Sequence, residues 1–119
     1  MAASPTQRSL KLLKDMGYRS QVVERWNPHA RVRQDLFGVI DIVALDPAIR
    51  RILAVQTTSR SNMSARIGKI KESAEAKDWA ICCGPIYVHG WDKHKYRWRV
   101  RQVRMEYGEE GWTVYEIDD

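Results

Sequence analysis

Two apolar runs separated by a short break constrain this chain more than any other feature. The first is Gly38-Val39-Ile40-Asp41-Ile42-Val43-Ala44-Leu45, and the second runs from Ile52-Leu53-Ala54-Val55 into Gln56-Thr57-Thr58. Asp46-Pro47 between them supplies a turn. Each run is rich in β-branched residues and apolar at consecutive positions, so each reads as a strand covered on both faces. Other segments must provide that cover, and a layered α/β domain is the natural solution.

The flanking segments fit. Over residues 4–16, Leu10 and Leu13 share a side with Gly17, and Leu12 and Met16 lie close by. Ser4 can cap this helix, Pro5 suits its first position and Gly17 ends it. Residues 20–26 read as a strand centred on Val22 and Val23 and broken by Asn27-Pro28-His29. Residues 31–45 form a second extended stretch whose core is the first apolar run, and residues 51–58 form a third. Met63, Ile67, Ile70 and Ala74 then fall at helical spacing, with a break near Ser73 and a resumption through Trp79 to Cys83. Gly84-Pro85 stops the helix. Residues 86–91 give a fourth strand, residues 92–95 a turn, and residues 96–105 a fifth strand. In that fifth strand Arg97, Arg99 and Arg101 point one way, and Trp98, Val100 and Gln102 the other. Residues 112–117 add a last short strand. The expected fold is one α/β domain over residues 1–119, a central mixed sheet flanked by helices, in the order α-β-β-β-α-β-β.

Charge narrows the function. Residues 1–105 hold all 20 Lys and Arg side chains but only nine of the 15 carboxylates, a balance of +11. The other six carboxylates fall in an acidic segment, 106–119, that carries no Lys or Arg. So basic a body points to a polyanionic partner, most simply nucleic acid. The acidic segment either solubilises the chain or masks the basic surface. No apolar run approaches the ~20 residues that span a bilayer, and the N-terminus carries no secretory pattern, so no membrane partner is expected. Cys82 and Cys83 are adjacent, which excludes a disulfide framework and a zinc quartet; they are expected in or near the core of a cytoplasmic protein. His29, His89 and His94 have no metal-like spacing with cysteine and read as structural or surface residues.

Asp41 is the chemical anomaly, a carboxylate inside an apolar strand, which must find hydrogen bonds, a cation or a metal. Gln56 ends the next apolar run, and Thr58, two positions on, shares its face. If the two strands form a hairpin, Asp41 and Gln56 meet at one end of the sheet, within reach of Glu24. Two carboxylates, an amide oxygen and a backbone carbonyl make a hard-oxygen site of the kind Mg2+ or Mn2+ prefers. A structural, hydrogen-bonding role for Asp41 is the alternative. Asp35 is either an additional ligand at the entrance or a turn residue. Ser59, Arg60 and Asn62 follow the second run and suit either a phosphate or helix capping, the latter being expected for Asn62. The Arg97, Arg99, Arg101 row, preceded by Lys93 and Lys95, can track a phosphate backbone or simply be a solvated face.

Arg33-Gln34-Asp35-Leu36-Phe37-Gly38-Val39-Ile40-Asp41, Val55-Gln56-Thr57-Thr58-Ser59, Ala65-Arg66-Ile67 and Val88-His89-Gly90-Trp91 resemble small phage and bacterial proteins of the PD-(D/E)XK nuclease superfamily. That superfamily includes restriction enzymes and archaeal-type Holliday junction resolvases. The resemblance spans about residues 5–105. It implies a restriction-endonuclease-like core and a metal-dependent DNA endonuclease. It also implies Mg2+ or Mn2+, no organic cofactor, branched DNA as one substrate class, and, from the resolvases, a homodimer. Asp41 matches the motif Asp, and Glu24 the acidic residue that many members place before it. Gln56 stands where the motif has Glu or Asp, Thr58 where it has Lys, and Ile40 where it has Pro. Some members move the lysine to the following helix, which makes Lys69 the expected replacement, with Arg66 and Lys71 behind it. Arg33, Ser59, Arg60, Asn62, Arg66, Lys93, Lys95, Arg97, Arg99 and Arg101 are the expected nucleic-acid contacts. The competing expectations are a nuclease-fold DNA-binding protein with a weakened site, and a small interaction protein whose basic surface meets a protein.

Overall fold

Ser4 and Gln7 form a reciprocal capping box, each side chain taking the other's backbone N–H, and start a helix at Pro5. In the computed structural model, which describes residues 3–117, this helix is α1 (Pro5–Asp15). The strands that follow are β1 (Arg19–Val22), β2 (Arg25–Asn27), β3 (Val32–Gln34), β4 (Ile42–Asp46) and β5 (Arg51–Ser59). A 3-10 turn, Arg60–Asn62, leads into α2 (Met63–Glu72) and α3 (Ala74–Cys82). The chain finishes with β6 (Ile86–His94), β7 (Arg97–Gly108) and β8 (Gly111–Ile117).

Six strands make one mixed sheet in the order β1-β4-β5-β6-β7-β8, while β2 and β3 pair only with each other. Every neighbouring pair in the large sheet is antiparallel except β5 and β6. That parallel pair needs a crossover, and α2 and α3 provide it.

Alternation along β5 splits the core in two. Leu53 and Val55 face α1 and pack with Leu13, Ile42 and Ala44. Ala54 faces α2 and α3 and packs with Met63, Ile70, Ala76, Ile86, Val88, Val103 and Met105. β5 is thus covered on both faces from Leu53 to Thr58. Gly90 is where the helical layer comes closest: a Cβ there would collide with the Met63 side chain and meet Arg60 Cα at 3.0 Å.

Several expectations need correction. Residues 20–26 do not form one strand; the chain leaves the large sheet after Val22 and re-pairs as the β2–β3 ribbon. Residues 38–40 are not strand. The chain folds back at Phe37 and Gly38, both at positive φ (54° and 75°), and a Leu36–Ile40 bridge closes the loop. The expected double cover fails in part of β4, where Leu45 is 43% exposed. β6 continues through residues 92–94, so its turn to β7 is Lys95-Tyr96, both with positive φ. The acidic segment is largely sheet, comprising the end of β7 and all of β8, with Trp112 and Val114 against the core; Asp118 and Asp119 lie outside the described residues. Cys82 is exposed rather than packed inside, and Cys83 half-buried. The Asn62 side chain makes no capping hydrogen bond to α2, whose break before α3 falls at Ser73 as expected. Among the described residues no helix is long and apolar enough to cross a membrane.

Candidate metal centre

Asp41 lies just before β4, stitched between two neighbours. Its N–H donates to Val55 O at 2.9 Å, and its carbonyl accepts from Val23 N–H at 2.8 Å. This fixes its side chain over β5, where Oδ2 accepts from Thr57 N–H at 2.7 Å and from the Thr57 hydroxyl at 3.1 Å. The Thr57 hydroxyl in turn meets Thr6 Oγ1 of α1 at 2.7 Å. Asp41 is 4% exposed. One of its oxygens is therefore held by the fold, in a way that favours the charged form.

The two remaining carboxylates come from the stems of the β2–β3 ribbon. Glu24 immediately precedes β2 and Asp35 immediately follows β3. The fold-back at Phe37-Gly38 brings Asp35 towards Asp41, six residues later. Glu24, Asp35 and Asp41 each place one carboxylate oxygen within 4.8 Å of the others. Gln56 is fully buried beneath them. Its Nε2 lies 3.3 Å from Asp35 Oδ2, and its Oε1 is buried without a hydrogen-bond partner.

Like charges this close resist joint ionisation. Burial raises the Asp35 carboxyl to about 7, and a proton shared with Asp41 and the Asp41 charge push the same way, while Lys69 and Arg66 pull it down. Burial also raises Asp41, against the hydrogen bonds from Asp35 and Thr57 N–H. The Asp35 carboxyl therefore exchanges its proton near neutral pH.

Lys69, exposed on α2, lines an open hollow with Arg33, Asp35, Phe37 and Gly38. Arg33 reaches Glu24 at 3.7 Å. The expected constellation of Glu24, Asp41, Gln56 and Lys69 is therefore brought together, with Arg66 beside it. Thr58 is buried on the Gln56 face, two positions along β5 and level with Gly90, outside the carboxylate cluster. The Arg97, Arg99, Arg101 row is largely engaged: Arg99 is paired with Asp92, and Arg101 with Glu116. Arg60 lies 4.0 Å from Asp92. His89 is a buried structural residue, its Nδ1 2.8 Å from Ser9 Oγ, which also accepts from Trp91 Nε1 at 2.8 Å.

Sequence reasoning missed Thr57. Its position between Gln56 and Thr58 puts it on the opposite face, and only the register at Asp41 reveals that it supports the site. It also gave Asp35 too little weight. The one available signal was Gly38 after Phe37, a tight reversal able to return Asp35 over the second strand.

Comparison with known proteins matches no family model, no curated protein and no solved structure.

Proposed function

We propose that the protein is a metal-dependent DNA endonuclease of the PD-(D/E)XK type, with a restriction-endonuclease-like topology. What carries the reading is the set of three carboxylates within 4.8 Å of one another above a buried glutamine oxygen that has no partner. The donors are all hard oxygens, which fits Mg2+ or Mn2+. Glu24, Asp35 and Asp41 would hold the ion, with Gln56 Oε1 able to join after rotation of its amide. Bound there, such an ion supplies an activated water and offsets charge on a scissile phosphate.

The protein's own groups have distinct parts. Thr57 orients Asp41. Asp35 restores the negative charge that Gln56 lacks relative to the motif, and its carboxyl can take up or release a proton near neutral pH. Lys69 and Arg66 sit where a phosphate approaching Asp35 would meet cations, in place of the lysine that Thr58 cannot supply. Arg33, Arg60, Arg97, Lys93 and Lys95 extend the cationic surface for the DNA backbone. Branched DNA and a symmetric homodimer belong to the same reading. A second reading, a DNA-binding protein with a spent site, draws on the uncharged Gln56 and Thr58.

The test is cleavage of labelled duplex, single-stranded and four-way-junction DNA with Mg2+, Mn2+ or EDTA. Asp41→Asn retains an oxygen able to accept from Thr57. Metal-dependent cutting reduced by about a hundredfold or more in Asp41→Asn is the expected result. Salt-sensitive binding without cutting by either protein would establish the second reading instead.

A further inference from the structure

The β2–β3 ribbon is the least explained part of the molecule. It joins neither sheet edge, and its turn is closed by its own hydrogen bonds: Asn27 Oδ1 accepts from His29 N–H at 3.0 Å and Ala30 N–H at 3.2 Å, and Arg31 takes a positive φ of 54°. Apart from Tyr96 at the β6–β7 turn, the exposed aromatics elsewhere are engaged. Arg8 stacks over Trp98 at 3.6 Å, and Phe37 tilts against Trp79. Trp26 leaves 55% of its surface open to solvent on a two-stranded ribbon that buries no core. An indole exposed in this way contributes nothing visible to folding.

Its neighbours give it a chemical context. Trp26 pairs directly across the ribbon with Arg33, so the two side chains share a face. Arg33 in turn reaches Glu24 of the carboxylate cluster at 3.7 Å. From Arg25 to Gln34 the ribbon holds Arg25, Arg31 and Arg33 and no carboxylate. An aromatic plane beside a guanidinium on a cationic ribbon matches one nucleotide, with the base on the ring and the phosphate on the cation. A paired base inside a duplex does not offer its face to such a ring, whereas an unpaired one does.

We infer that the ribbon is a docking element for unpaired DNA, with a base stacked on Trp26 and its phosphate at Arg33. It sets which DNA the neighbouring carboxylates meet: a single strand, or the unpaired arm of a branched duplex. This rests on the endonuclease reading for its consequence but not for its test. The ribbon also carries Glu24 and Asp35 at its two stems, so a nucleotide held on Trp26 lies next to the site.

The experiment measures binding of a labelled single strand, a blunt duplex of the same sequence and a duplex with a single-stranded flap, in EDTA. Wild type, Trp26→Ala and Trp26→Phe are compared, with thermal melts confirming that each is folded. Trp26→Ala should weaken single-strand and flap binding by about tenfold, and blunt-duplex binding by less than about twofold. Trp26→Phe should recover most of the loss. Equal losses on all three DNAs, no loss on any, or no single-strand binding by wild type would overturn the inference. Cleavage in Mg2+, run in parallel, separates the two ideas. A Trp26-dependent preference without cutting leaves the ribbon standing and removes the endonuclease. Cutting of the flap at an unchanged rate in Trp26→Ala does the reverse.

Discussion

Asp35→Asn should make the metal-free protein more stable and the metal-bound protein less able to work. Asp35 is raised from 3.8 to about 7, chiefly by burial and then by Asp41. The unfolded chain ionises this group near 3.8, so folding at pH 8 forces a charge into a place that resists it. In a site sealed from water that displacement would correspond to about 4 kcal/mol. Asp35 is only half-buried, and solvent screening reduces the figure to roughly 1–2 kcal/mol. Asparagine keeps the shape and an oxygen for Gln56 Nε2 but removes the charge. At pH 8, Tm should therefore rise by several degrees, since about 1 kcal/mol moves the midpoint of a domain this size by roughly 3–6 °C. At pH 5 wild-type Asp35 holds its proton when folded but still releases it on unfolding, so the gain should shrink to roughly a third of its pH 8 size, and it should vanish only below the unfolded value of 3.8. Adding Mn2+ at pH 8 should raise the wild-type Tm more than that of Asp35→Asn, because the ion relieves in the wild type what the mutation removed. Differential scanning fluorimetry at two pH values, with and without metal, reads all four conditions. A lower Tm for Asp35→Asn at pH 8, or a gain of equal size at pH 5, would refute the crowded-carboxylate account.

Other expectations follow from the same structure. His89, lowered by burial to about 4 from 6.5, stays neutral in the folded protein while the unfolded chain takes up a proton. Its contribution is therefore present above pH 6.5 and lost as pH falls towards 4, about 3 kcal/mol in all. Urea midpoints of wild type and His89→Asn compared at pH 7 and pH 5 isolate it, and a difference between the two proteins that does not change with pH would contradict the burial of the ring. Gly90→Ala should cost about 2–3 kcal/mol in urea unfolding, because Met63 and the Arg60 backbone occupy the space of the new methyl; an unchanged midpoint would show that α2 shifts freely. Glu116→Gln should free Arg101, raise DNA affinity at low salt about two- to fivefold and steepen the salt dependence by about one ion, with filter binding as the measurement. An unchanged slope would mean that Arg101 does not face the DNA.

Where local chemistry decides the structure, the sequence was legible. Ser4-Pro5 and Gly17 bracket α1 because capping and backbone freedom are properties of those residues alone. Ser73 is the break between α2 and α3 for the same reason, its side chain accepting from Ala76 N–H at 3.1 Å. The meeting of Asp41 with Gln56 followed from the short connection between two buried strands. Val39 and Ile40 misled because apolar side chains can be buried in a packed loop as fully as in a strand, and the reversal depends on the backbone at Phe37. The separate β2–β3 ribbon was hidden because strand partnership is a tertiary choice that Asn27-Pro28 does not specify. The strand expected over 112–117 forms as β8 because Glu109 and Glu110 occupy only the turn before it, while the flanking Tyr107, Trp112 and Val114 pack inward.

The sheet ends in two unequal margins. β1 offers only four residues at one side, whereas β8 offers seven at the other, with one row of backbone donors and acceptors unpaired by any neighbour in the sheet. A margin of that length invites a second copy to add its own strand. Glu116 lies on it, and Glu109 and Glu110 crown the turn that leads into it. Arg101 offsets the charge of Glu116, whereas Glu109 and Glu110 leave two carboxylates together at one end of the margin in a chain that is otherwise basic. Like charges at the turn therefore disfavour sheet-to-sheet growth at that end of the margin.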